Sequence, residues 1–266
     1  MHAYVNIALR VARKAGQMMV QAIDTLDRLE VEEKSRNDYV SSIDRQSEQI
    51  IAEAVHRAYP EHAIFGEEGG QLVEGAEYTW IIDPLDGTLN YLQGIPHFCI
   101  SIGVMKGAQF EHAVVVDPLR NEEFSATRGA GAQLNGKRIR VTDRYKIEQA
   151  VLATGIPPGS IETHLPAYTA SLQQFTGQCR GVRRMGSAAL DLAYVAAGRT
   201  DGFWELGLST WDIAAGVLLV REAGGFVGDW RGGDTFMKTG NIVAANPKLF
   251  KAMVQDLRPH LTEAIV

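Results

Sequence analysis

The sequence predicts an α/β (α+β) fold, and three features of the 266-residue chain carry that reading. Val5, Leu9, Ala12, Gly16, Met19 and Ile23 recur at alternating steps of four and three, the spacing of one face of an amphipathic helix. Phe98 to Met105, Gln109 to Val116 and Glu122 to Ala126 read as successive strands, broken by Lys106-Gly107 and Pro118-Leu119-Arg120-Asn121. Downstream, Ala214, Ala215, Val217, Leu218 and Leu219 make a helix that is apolar almost all round, so it must be buried. Strands mixed with both amphipathic and buried helices require a layered arrangement.

The remaining elements follow in order. Ser41-Ser42-Ile43-Asp44 has the form of a helix start, with Ser41 as cap and Asp44 three residues on. Ala63 to Glu67 reads as a short strand ending at the acidic pair Glu67-Glu68, and the stretch from Gly69 to Glu77 as a surface loop. Trp80-Ile81-Ile82 is a buried strand running into Asp83-Pro84, where a proline without an N–H should end ladder pairing. Asp86-Gly87 then turns the chain, and Gly87-Thr88-Leu89-Asn90 begin a short helix. Leu134-Asn135-Gly136-Lys137 is a hairpin turn. Gly131 to Lys137 also spells G-x-x-x-x-G-K, but Arg138 stands where a nucleotide P-loop needs Ser or Thr.

Val151 to Thr154 is a further strand, Glu162 to Phe175 a helix, and Ser187 to Ala197 a helix of small residues that permits close packing. Between them lies a basic stretch with Arg180, Arg183 and Arg184, suited to a solvated or subunit-contact surface or to steering a phosphate. Phe203-Trp204-Glu205 is a short strand, Trp211-Asp212 opens the buried helix, Ile242-Val243-Ala244 is a last core strand, and Pro247 starts the C-terminal helix.

Composition narrows the function. With 45% hydrophobic and 22% charged residues the chain can build a large core, either as one domain or as two tightly joined lobes. A net charge of −6 argues against a general nucleic-acid binder, and no direct nucleic-acid motif is present. No apolar run reaches membrane-spanning length and no signal peptide is visible, so a cytoplasmic protein with no membrane association is expected. Cys99 and Cys179 have no metal-ligand spacing, and the seven histidines are scattered, which excludes the usual zinc motifs.

Chemistry concentrates at Asp83 and Asp86. Two carboxylates three residues apart on a rigid turn repel each other unless a cation lies between them. Their hard oxygen atoms suit Mg²⁺ or Mn²⁺ rather than zinc. The backbone N–H groups at Gly87 and Thr88, with no side chain on the glycine, form a seat for an anion. An ordinary Asp-Pro, Asp-Gly loop with capping aspartates would carry the same letters.

Asp83-Pro84-Leu85-Asp86-Gly87-Thr88-Leu89-Asn90-Tyr91 resembles the signature of the inositol monophosphatase family of lithium-sensitive, metal-dependent phosphatases. The resemblance extends upstream to Gly66-Glu67-Glu68 and downstream to Trp211-Asp212-Ile213-Ala214-Ala215-Gly216 and Glu222-Ala223-Gly224-Gly225. It implies a layered αβαβα sandwich forming a homodimer, with residues 1–266 as one domain whose lobes meet near residue 150. It also implies two to three Mg²⁺ ions, with Mn²⁺ as a substitute, held by Glu67, Asp83, the Leu85 carbonyl, Asp86 and Asp212. Glu67 and Thr88 would orient a metal-activated water, with Asp44 close to Thr88, and Gly87 and Thr88 would seat the phosphate. Asp86, Gly186, Ser187, Ala188, Glu205 and Asp212 would hold the substrate, a small phosphorylated polyol such as a myo-inositol monophosphate. The family usually carries Thr where Ser187 stands, which keeps a hydroxyl in place. The same chemistry on a sugar phosphate, histidinol phosphate or 3′-phosphoadenosine 5′-phosphate is the alternative. Arg183 to Tyr194 and Leu218 to Glu222 further resemble a bacterial branch of that family associated with RNA polymerase antitermination complexes and ribosomal RNA synthesis, which implies protein partners as well.

Overall fold

The computed structural model describes residues 2–28, 31–35, 38–69, 73, 75–262 and 265. The opening periodicity becomes helix α1 (Ala3–Ala22), which buries Val5, Leu9, Ala12 and Met19. A two-stranded ribbon, β1 (Val31–Ser35) and β2 (Asp38–Ser41), leads into α2 (Ser42–Ala58). The Ser41 hydroxyl accepts the Ile43 N–H at 3.2 Å, and Asp44 Oδ2 accepts the Ser41 N–H at 2.9 Å, a reciprocal cap at the start of α2.

A seven-stranded sheet follows, in the order of its sequence: β3 (Ala63–Gly66), β4 (Tyr78–Asp86), β5 (Cys99–Lys106), β6 (Gln109–Asp117), β7 (Glu122–Thr127), β8 (Gly131–Leu134) and β9 (Lys137–Arg138). Only β3 and β4 run parallel. Of the loop expected from Gly69 to Glu77, residues 70–72 and 74 lie outside the described residues. The strand expected to stop at Asp83-Pro84 does not stop there. Asp83 pairs with Ser101, the register shifts, and Asp86 pairs again with Cys99. Pro84 therefore falls within the irregularity, where its missing N–H breaks no ladder bond. The hairpin at Asn135-Gly136 forms as read, with φ of 49° and 75° joining Leu134 to Lys137.

After the short helix α3 (Thr88–Leu92) and this first sheet, the second half of the chain builds a five-stranded sheet. Its strands are β10 (Val151–Thr154), β11 (Gly181–Arg183), β12 (Gly202–Glu205), β13 (Phe226–Gly228) and β14 (Ile242–Ala245), in the order β11-β10-β12-β14-β13. The interleaved helices are α4 (Ile161–Gln178), α5 (Ala188–Ala196), α6 (Thr210–Glu222), α7 (Phe236–Thr239) and α8 (Pro247–Leu257). Part of the basic stretch is thus an edge strand, β11, beside β10.

The layers run α1 and α2, the larger sheet, α5 and α6, the smaller sheet, then α4 and α8. Three apolar cores fill the gaps. Met19, Ile51, Trp80 and Ile102 lie under α1 and α2; Leu192, Phe203, Val217 and Leu219 surround the central helices; Phe175, Trp204, Leu249 and Met253 lie under α4 and α8. The apolar circumference of α6 is explained by this central position, since both sheets pack on it. This is the αβαβα sandwich. Among the described residues no helix is long and apolar enough to cross a membrane.

Gly240 controls how the chain approaches α6. Its φ is +70°, and a Cβ there would lie 2.0 Å from the Leu208 carbonyl oxygen and 2.3 Å from the Leu208 nitrogen. Both are backbone atoms, so no rotamer change relieves the clash. The Leu208 N–H donates to the Gly240 carbonyl at 3.1 Å, and the Gly207 N–H donates to Asn241 Oδ1 at 3.0 Å, so the two segments are stitched together. Gly240→Ala is expected to cost at least about 3 kcal/mol, combining strain with displaced backbone. Scanning calorimetry should show a fall of roughly 2–4 °C in Tm for each kcal/mol lost.

Candidate active site

The turn after β4 fixes the centre of the site. Gly87 has φ 96° and ψ 36°, a left-handed conformation that favours glycine. A Cβ there would also come within 3.0 Å of the His97 carbonyl oxygen and 3.2 Å of the Gly186 carbonyl oxygen. Asp83 is only 2% exposed, and its Oδ1 accepts the Leu85 N–H at 3.0 Å. Asp86 points to the central helix layer: its Oδ2 accepts the Ser187 hydroxyl at 2.6 Å and the Ala189 N–H at 2.7 Å. Thr88 Oγ1 lies 2.9 Å from Asp44 Oδ1 and 3.0 Å from the Leu85 carbonyl oxygen. A hydroxyl has one proton, so Thr88 donates to one of these at a time. With Asp44 ionised it donates there; a neutral Asp44 donates to Thr88, which then donates to Leu85.

Distant elements complete the constellation. The Ser209 N–H donates to Asp212 Oδ2 at 2.7 Å, so the cap of α6 aims Asp212 at the same region. Glu67 follows the end of β3, where its N–H donates to the Ile82 carbonyl at 3.2 Å. Asn90 Nδ2 donates to the carbonyls of His97 and Met185, both at 2.8 Å, and so ties α3 to the turn before Gly186. The sequence carries no sign of this tie, because its partners are backbone carbonyls 7 and 95 residues away.

These residues face a cleft of about 510 Å³. Glu67, Asp83, Leu85, Asp86, Gly87, Thr88, Gly186, Ser187, Ala188, Glu205 and Asp212 all line it, while Asp44 lies one contact behind Thr88. Glu68 is not among the lining residues; its N–H donates to Glu48 Oε2 at 2.9 Å. Ser187 gives its hydroxyl proton to Asp86, so it can meet a substrate only as an acceptor. Of the basic stretch, Arg184 reaches the cleft.

The charge balance is lopsided. Glu67, Asp83, Asp86, Asp191, Glu205 and Asp212 line the cleft, with Arg184 the single cationic side chain among the described lining residues. Burial, then the charges of Glu67, Asp86 and Asp212, pushes Asp83 well above the ordinary carboxylate range. Asp212 is raised likewise, by burial first and then by Asp86. Asp86 is also raised by burial, against the lowering effect of its bonds from Ser187 and Ala189. Glu205 rises through burial and the nearby Asp191, Asp212 and Asp86, with Arg184 opposing.

Such a cluster is relieved by a cation, and its donors are hard oxygens. Among the described residues no three Asp, Glu, His or Cys side chains close into a ready-made cage. What suits the cleft to Mg²⁺ or Mn²⁺ is the hardness of its oxygen donors. Asp191 is the residue the sequence reading passed over. It is the one charged residue between Ser187 and Ala197, a signal hidden by reading that segment as a small-residue packing helix.

Fold and cleft together define a layered α/β protein with an oxygen-donor site suited to a divalent cation. The chain belongs to the inositol monophosphatase family, whose sequence profile matches residues 1–262, a family of metal-dependent phosphatases. Nus factor SuhB of Pseudomonas aeruginosa is 52% identical over 270 aligned residues, spanning 100% of this chain and 99% of that protein. The crystal structure of extragenic suppressor protein SuhB from Bartonella henselae superposes with a TM-score of 0.94 at 41% identity, covering 98% of this chain and 100% of that one. Inositol monophosphatase from Anabaena (Nostoc) sp. PCC 7120 superposes with a TM-score of 0.86 at 36% identity, covering 96% and 95% of the two chains.

Proposed function

We propose that this protein hydrolyses small phosphate monoesters, myo-inositol monophosphates foremost, in a Mg²⁺-dependent reaction. The observation that carries the reading is the imbalance of six carboxyl groups against one guanidinium around a single cleft. Glu67, Asp83, the Leu85 carbonyl, Asp86 and Asp212 would hold Mg²⁺ or Mn²⁺. The bound ion supplies charge neutralisation for the phosphoryl group and a nucleophile at neutral pH.

The protein groups do the positioning. Thr88, in contact with Asp44, and Glu67 would orient the attacking water, and the N–H groups of Gly87 and Thr88 would seat the phosphate. Glu205, Asp86, Asp212 and the Gly186-Ser187-Ala188 turn hold the hydroxyls of the leaving polyol. Measuring turnover of inositol 1-phosphate against 3′-phosphoadenosine 5′-phosphate, with and without Mg²⁺, tests the reading. Faster turnover of the nucleotide would replace the polyol assignment, and metal-independent turnover would remove the mechanism.

Li⁺ is expected to inhibit. It is near Mg²⁺ in size with half the charge, and the Asp83, Asp86 and Asp212 carboxylates offer it no soft ligand. Inhibition should be uncompetitive with substrate and relieved by excess Mg²⁺. Substitutions at Asp86 or Asp212 should alter it more than substitutions at Glu205. Purely competitive inhibition, or none at high lithium, would refute this.

A second reading is favoured by the full-length similarity to Nus factor SuhB. In it, the chain acts in the cytoplasm as a homodimer and also binds RNA polymerase antitermination factors. A pull-down with transcription elongation factors, sedimentation for the dimer, and complementation by an inactive Asp83→Asn chain would separate this role from hydrolysis.

A further inference from the structure

Asp191 lies in the first turn of α5 and is 1% exposed, yet it lines the catalytic cleft. Its Oδ1 is buried and has no hydrogen-bond partner among the described residues. A first-turn acid benefits from the helix dipole, but that benefit is available at the surface and does not require burial. Burying a carboxyl group with an oxygen left unbonded is costly, and such groups in native proteins call for a ligand or a functional reason.

The surroundings indicate which ligand. Glu205, on β12, also faces the cleft, and of its charged neighbours Asp191 acts on it most strongly. The Glu205 carboxylate oxygens lie 2.4 and 2.5 Å from where a Cβ on Gly155 would stand, so the glycine leaves the space that the carboxylate fills. Two carboxyl groups thus share one wall beside the proposed phosphate site. Both are acceptors, so hydrogen-bond donors complement them. Hydroxyl groups on neighbouring carbons of a polyol fit, because a carboxyl oxygen accepts from them whether or not the group is ionised.

We propose that Asp191 contacts the substrate and helps to set specificity, accepting a hydroxyl of the leaving polyol beside the hydroxyls held by Glu205. The inference rests on the hydrolytic reading above and adds to it a specificity-setting contact, Asp191, that is not among the substrate residues named there.

The test compares inositol 1-phosphate with p-nitrophenyl phosphate, whose leaving group has no hydroxyl for Asp191 to accept, both at saturating Mg²⁺. Asp191→Leu should raise KM for inositol 1-phosphate about 10- to 100-fold while p-nitrophenyl phosphate turnover stays within about 2-fold. Asp191→Asn keeps one acceptor oxygen and should raise KM for inositol 1-phosphate alone, by about 3- to 10-fold. If the leucine variant does not fold, this smaller selective shift decides.

Equal losses on both substrates would make Asp191 a structural residue, and an unchanged KM for inositol 1-phosphate would remove it from the substrate site. Either result overturns the inference while leaving the hydrolytic reading intact. A wild-type protein inactive on both substrates overturns that reading and the inference together.

Discussion

Asp83→Asn is expected to lower phosphatase activity by about 10³-fold or more at any Mg²⁺ concentration, the largest loss from a single substitution in the cleft. Asp83 sits among Glu67, Asp86 and Asp212, so neutralising it weakens every arrangement that shares an ion between these groups. The Leu85 N–H can still donate to the asparagine carbonyl, so the turn should survive. Near-normal turnover at saturating metal would remove Asp83 from the proposed ligand set.

The same substitution should move stability the other way in metal-free protein. Burial and its acidic neighbours raise the folded-state pKa of Asp83 above the ordinary 3.8. Between those two values the folded chain keeps a proton that the unfolded chain has lost, so stability rises as pH falls through that window. At neutral pH the unfolded chain has lost this proton, so folding must either keep a proton on Asp83 or bury its charge among Glu67, Asp86 and Asp212; asparagine carries neither cost. In EDTA, Asp83→Asn should therefore melt at a higher temperature than wild type, with the advantage shrinking as pH falls toward the ordinary value. Mg²⁺ should raise the Tm of wild type and have far less effect on the variant.

Thr88→Ala is expected to slow hydrolysis by about 10²-fold while leaving Mg²⁺ affinity nearly unchanged. The Thr88 hydroxyl bridges Asp44 and the Leu85 carbonyl, but Asp44 keeps its bonds from Ser41 and stays anchored. The loss should fall on kcat. Calorimetric Mg²⁺ titration beside steady-state kinetics separates the two quantities, and equal losses in both would make Thr88 part of the scaffold.

The parts of this molecule legible in sequence are those decided within a few residues. The Ser41–Asp44 cap, the Asn135-Gly136 hairpin and the periodic face of α1 each depend on neighbours along the chain, and each forms as read. The Asp83–Thr88 stretch was readable because its residues are consecutive and chemically unusual together. What escaped depends on remote contacts. Pairing continues past Pro84 because β5 offers Cys99 to Asp86 on the far side of the irregularity. The edge strand β11 exists because β10 lies beside it; its own Gly-Val-Arg gives little signal. Asn90 ties down a turn some 95 residues away in sequence, and Asp191 acquires meaning only when α5 faces the cleft.

Four aspartates of this region each commit one oxygen to the fold: Asp44 to Ser41, Asp83 to Leu85, Asp86 to Ser187 and Ala189, and Asp212 to Ser209. This bears on how a gene of this kind would record the loss of its chemistry. A descendant kept only to bind another protein would still need those oxygens to hold its helix starts and its central turn. It would drift first where an acid serves the cleft without serving the architecture, and an acceptor oxygen could persist at the four positions long after hydrolysis ceased. Asparagine, which preserves one acceptor, would be the earliest tolerated replacement. An acceptor oxygen at these four positions is therefore a record of folding, while the buried charge at Asp83, which the fold alone disfavours, is a record of the cleft's chemistry.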